Sequence, residues 1–285
     1  MNSTTVPPVE NPNAADAVAM GSGTASEPSQ TKCMILTSQR SGSVFLQKYL
    51  NSHPDICCHG EILLGLGGPC GSVPPRFLDR NRRARLAWAW LFSGAAFFPE
   101  RVVERTLDSS PESAAIAFRG MYNQLRSARL VSHLQSIQGL RVIHLMRDNL
   151  LRQYVSRKQM HHRYAIHGRG SAHSSKPLQL SAIRIDPAAA LKSMRDHVNS
   201  RDSLHAAFES AGCPMLPLHY EQLLATGSVT DADHAALCDF LGVENAPMSS
   251  DLVKMNHSPM DELVENFDDL RSVILDSEFA SMLDQ

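Results

Sequence analysis

Between residues 33 and 52 a short apolar run, CMILT, gives way to a Ser/Gly-rich turn and then to Val44, Phe45, Tyr49 and Leu50 at helical spacing. This order of patterns predicts a strand, a loop and a helix, the opening unit of an α/β fold. Comparable runs recur at Ala114–Phe118 (AAIAF), Arg141–Leu145 (RVIHL) and Met215–His219 (MLPLH), with a shorter one inside HPDICCHGE at 53–61. Each is apolar on both faces, as required of strands in a parallel sheet covered by helices on both sides. Helical stretches are expected at Met121–Gln138 and at Pro187–Ser210, the latter with Pro at its first position. The alternation predicts one doubly wound α/β domain with a central parallel sheet flanked by helices, and no repeat of domain-building length interrupts it.

Three segments depart from this pattern. Residues 1–30 carry Pro7, Pro8, Pro12 and Pro28 and no aromatic residue, a composition expected to stay a disordered tail, which leaves 31–285 as the domain. Residues 65–112 combine the glycine-rich GLGGPCG with Arg76, Arg80, Arg82, Arg83 and Arg85 and the apolar LAWAWLFSGAAFF, and are expected to form a helical insertion. Trp88 and Trp90, two apart, cannot share a helix face, so one is a candidate for the core and the other for a groove or a homodimer surface. Residues 168–177 (GRGSAHSSKP) read as a mobile loop.

Composition narrows the function classes. With 27 Lys plus Arg against 29 Asp plus Glu, the net charge of −2 gives no electrostatic footprint for nucleic acid. The apolar stretch at 86–98 is shorter than the roughly 20 residues a membrane span needs, and no basic residue or apolar signal segment precedes Lys32, so a cytoplasmic location is expected. The six cysteines show no CxxC spacing and are expected to be reduced thiols. His161, His162, His167 and His173, taken with Cys57, Cys58 and Cys70, match no zinc spacing, so no metal is expected.

The chemistry gathers after two strands. Thr37-Ser38-Gln39-Arg40-Ser41-Gly42-Ser43 lies between a buried strand and a helix, where free backbone N–H groups and the positive end of the helix dipole favour a phosphate. Gly42 permits close approach, Ser41 and Ser43 add hydroxyls, and Arg40 supplies charge. The loop is not a Walker A sequence, because no Lys follows the glycine until Lys48, which weakens a kinase or NTPase reading. An ordinary strand-to-helix turn with capping serines explains the loop equally well, so a second element has to decide. That element follows RVIHL: Arg147-Asp148-Asn149-Leu150-Leu151-Arg152-Gln153-Tyr154-Val155-Ser156 again runs from a strand end into a helix. Two anion sites at two strand ends imply one ligand with two separated phosphate-like groups.

The pair TSQRSGS and RDNLLRQYVS resembles the 5′-phosphosulfate loop and the 3′-phosphate segment of sulfotransferases that use 3′-phosphoadenosine 5′-phosphosulfate (PAPS). The form is similar to the bacterial carbohydrate type, the nodulation-factor and trehalose sulfotransferases. The resemblance runs through NSHPDICCHGE, AFRGMYNQL, LHYEQLL and the C-terminal LVKMNHSPMDEL segment, and so covers 33–285. It implies a P-loop-like fold, with Arg40, Ser41, Gly42 and Ser43 at the 5′-phosphosulfate, Val44 in the same cofactor-binding loop where a Thr donor is frequent, and Arg147 and Ser156 at the 3′-phosphate. It places Phe45 near the adenine and Lys254 in a late segment that closes over the cofactor. Arg119, in AFRG, stands where many members have Phe-Lys. Arg40 stands where cytosolic relatives carry Lys, so it can stabilise charge but not give up a proton.

Sulfuryl transfer needs in-line geometry and stabilisation of the leaving oxygen more than covalent chemistry. The resemblance gives that stabilisation to Arg40 and the loop amides, and the base to Glu61 in the GE segment, with His59 as the alternative. It implies PAPS as donor, 3′,5′-adenosine bisphosphate as product, and a hydroxyl or amine of a glycan-like or small-metabolite acceptor, set by 65–112 and 168–177. Two rivals stay open: a P-loop kinase acting on a small molecule, and a non-catalytic protein binding the nucleotide or a sulfated ligand.

Overall fold

The computed structural model describes residues 30–63, 98–167, 181–223, 229–252 and 258–283. Five strands form one parallel sheet: β1 (Thr31–Thr37), β2 (Ile56–Cys58), β3 (Ala115–Met121), β4 (Arg141–Met146) and β5 (Met215–His219). Their order is β2-β3-β1-β4-β5. The β1-to-β2 connection leaves across β3 while the β3-to-β4 connection leaves across β1. Adjacent strands β1 and β3 therefore send their chains in opposite directions, and the crevice at their carboxyl ends is where such sheets bind ligands.

The helices are α1 (Ser43–Leu50), α2 (Pro99–Leu107), α3 (Ala128–Ser136), α4 (Leu150–His167), α5 (Pro187–Ser210), α6 (Tyr220–Leu223), α7 (Asp231–Leu241), α8 (Met260–Leu263) and α9 (Phe267–Leu275). Strand alternation divides the core. Met34, Leu36, Ile116, Phe118 and Val142 face α2, α3 and α5, through Val103, Leu107, Leu130, Leu134 and Phe208. Cys33, Ile35, Ala117, Ile143 and Leu145 face α1 and α7, through Leu46, Leu50, Leu237 and Leu241. A third cluster joins α4 and α5 to the C-terminal helices through Leu151, Val155, Met194, Leu270 and Ile274. Full burial of each Val, Leu, Ile, Phe or Met among them stabilises the fold by about 1.5–3 kcal/mol.

The α/β class and the central parallel sheet agree with the hydrophobic pattern, and α5 begins at Pro187 behind the capping carboxylate of Asp186. The helix expected at Met121–Gln138 is corrected. β3 runs on to Met121 in register with Thr37, and the helix starts only at Ala128, where the Ser127 side chain accepts a hydrogen bond from the Leu130 N–H. The N-terminal 1–29, most of the expected insertion (64–97, with Trp88, Trp90 and the arginine run), the loop 168–177 and Lys254 lie outside the described residues. The described end of the insertion is α2, which packs into the core. Among the described residues, no helix is long and apolar enough to cross a membrane.

Candidate active site

The loop after β1 is shaped by two left-handed residues, Arg40 (φ 64°) and Gly42 (φ 83°). Gly42 is required twice: its φ suits a residue without Cβ, and a Cβ placed there would come within 2.5 Å of Cδ2 of Tyr220. Gly42→Ala is accordingly expected to lower stability by about 1–3 kcal/mol, read by chemical denaturation; an unchanged midpoint would mean that the loop and Tyr220 part without cost. The first backbone bond of α1 runs from the Leu46 N–H to the Gly42 carbonyl at 3.1 Å. The amides before it are the unpaired first turn of a helix, a ready anion cradle.

The serines of the loop divide. The Ser41 hydroxyl is buried, 2.5 Å from Thr37 Oγ1 and donating to the Ser38 carbonyl at 2.7 Å, so it locks the loop to the strand end. What Ser41 can offer a ligand is its amide. The Ser43 hydroxyl accepts from Arg119 Nη1 at 3.2 Å. Val44 is half-buried, and Phe45 stacks on Tyr49 with ring centroids 6.1 Å apart.

Arg40 and Arg147 are joined through the loop. Arg147 Nη1 donates to the Arg40 carbonyl at 2.8 Å, which holds the left-handed residue in place, while Arg40 Nε donates to Ser156 Oγ at 3.0 Å. Arg147 lies over the Tyr220 ring at 4.9 Å and 3.6 Å from the Glu221 carboxylate. Glu221 in turn accepts from the Asp148 and Asn149 N–H groups at 2.9 and 3.3 Å. Gln153 ties α4 to the loop by donating to Ser38 Oγ and the Gln39 carbonyl at 2.7 and 2.9 Å. Burial lowers the pKa of Arg40, and the positive charge of Arg147 lowers it further; burial also lowers that of Arg147. Two guanidiniums held this close favour an anion between or beside them.

A second group stands at the end of β3. Arg119 is buried, 7% exposed, with Nη1 3.7 Å from Glu61 Oε1 and its Nε buried without a hydrogen-bond acceptor. Burial lowers its pKa, against the pull of the Glu61 charge. The other Glu61 oxygen, Oε2, accepts from Gln124 Nε2 at 3.3 Å. His59 is turned elsewhere: its Nε2 lies 2.9 Å from Ser109 Oγ and 3.5 Å from Cys57 Sγ, and burial lowers its pKa.

The fold thus joins Arg40, Arg147 and Ser156 in one group and Glu61, Arg119 and Ser43 in another. His59 is held against the α2–β3 connection by Ser109. Gln124, Gln153, Tyr220 and Glu221 were not singled out from the sequence. The signal available for the last two was an aromatic and a carboxylate directly after the apolar run of β5. Among the described residues, no group of three or more His, Cys, Asp or Glu is arranged to hold a metal ion.

No protein-family model matches the chain, and no curated protein does. Solved structures do show similarity. One is a sulfotransferase from Alicyclobacillus acidocaldarius, at 14% identity over 90% of this chain and 94% of that one, TM-score 0.46. Another is the sulfotransferase domain from the Synechococcus PCC 7002 olefin synthase, at 15% identity over 75% of each chain, TM-score 0.37. A third is the sulfotransferase domain from the curacin biosynthetic pathway, at 14% identity over 76% of each chain, TM-score 0.44. Likeness at this level carries no argument about chemistry, which has to come from the residues of the site.

Proposed function

We propose that this chain is a sulfotransferase that moves the sulfuryl group of PAPS to a hydroxyl or amine of a carbohydrate-like or small-metabolite acceptor. The observation that carries the reading is the convergence of three guanidiniums, from Arg40, Arg119 and Arg147, on the carboxyl ends of β1, β3 and β4 around one helix N-terminus. One of them, Arg119, keeps a buried Nε with no hydrogen-bond acceptor in the protein, whereas Arg147 Nε faces Glu221 Oε1 at 3.6 Å. A buried donor of this kind fits a ligand that brings its own acceptors. The division of the guanidiniums into two groups, Arg40 with Arg147 and Arg119 with Ser43, fits a ligand with two anionic groups. Magnesium–nucleotide chemistry needs a P-loop Lys and a Ser or Thr hydroxyl for the metal, with an Asp at the neighbouring strand end. Here the hydroxyl of Ser43 accepts from Arg119, and β3 presents that arginine in place of a carboxylate. These features count against the kinase alternative.

In this reading Arg147, Ser156 and Arg40 hold the 3′-phosphate, and the α1 amides with Ser43 and Arg119 hold the 5′-phosphosulfate. When bound, the donor supplies a sulfuryl group attached to a phosphate leaving group. Arg119 and the loop amides take up the negative charge that develops on the leaving oxygen. Glu61, beside Arg119, takes the proton of the acceptor. Arg40, whose side chain points to Ser156, serves nucleotide recognition in place of the leaving oxygen. Arg40→Ala is therefore expected to weaken 3′,5′-adenosine bisphosphate about 10–100-fold and to leave adenosine 5′-monophosphate nearly unchanged, by calorimetric titration. Equal losses for both nucleotides would move Arg40 back to the 5′ side.

The activity itself is tested by transfer of label from PAPS to a panel of glycan and small-metabolite acceptors, with bisphosphate released in equal amount. Label transfer from Mg-ATP, with none from PAPS, would overturn the reading in favour of a kinase.

A further inference from the structure

We propose that Gln124 is a positioning residue that aims the Glu61 carboxylate, an inference that rests on the base role given to Glu61 above. Gln124 lies in the turn after β3 and is buried, 9% exposed. Its Oε1 accepts from the Met121 N–H at 3.1 Å and its Nε2 donates to Glu61 Oε2 at 3.3 Å. The orientation of the amide is not free: a backbone N–H can only donate, so the oxygen faces Met121 and the NH2 group faces Glu61. The turn that carries it is itself closed, because the Gln124 N–H donates to the Met121 carbonyl at 2.8 Å.

Glu61 has no regular element of its own. It follows β2 in an irregular segment held to β3 by the Arg119 N–H donating to the Gly60 carbonyl at 3.2 Å. Its two carboxylate oxygens are met from one neighbouring element, Oε1 by Arg119 of β3 and Oε2 by Gln124 just beyond it. Arg119 supplies charge, and it is also committed to Ser43. Gln124 supplies direction without charge: with Oε2 held, the remaining lone pairs of the carboxylate point to a fixed place. A base must be placed to within a fraction of an ångström to act, so losing the tether costs rate even when the carboxylate remains.

Two substitutions separate aiming from mere support of the turn. Gln124→Met fills the space but donates nothing. It is expected to lower kcat about 10-fold or more with bisphosphate affinity close to wild type, and to lower the melting temperature as well, because the buried Met121 N–H loses its acceptor. Gln124→Glu can still accept from the Met121 N–H, but it sets a second carboxylate against Glu61 Oε2, and two carboxylates this close share a proton, with Arg119 the charged group facing the pair. The acid limb of its kcat/KM profile is expected to move up by about one pH unit or more, with rate recovering at alkaline pH. The same upward displacement is expected in the 13C-detected carboxyl titration of the protein without substrates. A Gln124→Glu profile and titration superimposable on wild type would overturn the inference while the enzyme still transfers sulfuryl groups. Wild-type protein that neither binds the bisphosphate nor transfers label fails the proposed function first, and the inference falls with it.

Discussion

Glu61→Gln is expected to lower turnover by about 10²–10⁴-fold, the usual contribution of a positioned general base, while affinity for 3′,5′-adenosine bisphosphate stays within about threefold of wild type. The substitution keeps the shape of the side chain and an oxygen for Arg119, 3.7 Å away in the native protein, but removes the group that accepts a proton. His59→Gln should cost far less, because His59 is engaged by Ser109 at 2.9 Å, away from the Arg119–Glu61 pair. Steady-state rates with a responsive acceptor, set beside calorimetric affinities, check both. Glu61→Gln turning over within threefold of wild type would remove Glu61 from the base role. A large loss in His59→Gln alone would transfer the role to the histidine.

Stability is expected to fall steeply as pH drops below about 6.5, and the cause lies beneath the site. His144 of β4 is fully buried, with Nε2 2.8 Å from the Tyr122 hydroxyl and Nδ1 3.0 Å from His205 Nδ1. Burial, reinforced by the neighbouring His205 and Arg201, pushes its pKa from 6.5 down to about 3. His197, half-buried beside the Tyr122 ring, is pushed to about 4 by burial and then by Arg201 and Arg157. Between these values and 6.5 the unfolded chain takes up protons that the folded chain refuses. The stabilisation is therefore whole above 6.5 and lost as pH falls through the window. His144 alone accounts for about 2 kcal/mol by pH 5, with a smaller share from the more exposed His197. Thermal melts from pH 7.5 to 4.5 should show the slope, and His144→Gln should flatten it. A variant with the wild-type slope would place the acid sensitivity elsewhere.

The sheet was legible wherever a strand is apolar on both faces. β1, β4 and the long helix from Pro187 follow the pattern, since nothing in their sequences competes with it, and β5 keeps it despite Pro217 because it is an edge strand with only Leu218 buried. β3 was not legible to its end, because Arg119 interrupts the apolar run at Phe118 and Met121 looks like the start of a helix. A buried arginine is tolerable in a central strand only with partners, and those partners, Glu61 and Ser43, come from segments 58 and 76 residues away in sequence. The same distance hid Gln124: its amide matters only because β2 lies beside β3, which the chain order does not state. Local pattern did mark the loop after β1 and the arginine after β4. It could not say that Arg40 would take a left-handed backbone and reach Ser156, or that the Ser41 hydroxyl would turn inward. Those directions depend on the Arg147 hydrogen bond to the Arg40 carbonyl and on the buried pairing of Ser41 with Thr37.

The most direct test of a site built for two anionic groups is calorimetric titration of the full chain with 3′,5′-adenosine bisphosphate, with Mg-ATP in parallel and Arg147→Ala as the control. The predicted result is one bisphosphate per chain, binding abolished in Arg147→Ala, and Mg-ATP far weaker. No bisphosphate binding, or a preference for Mg-ATP, would contradict it.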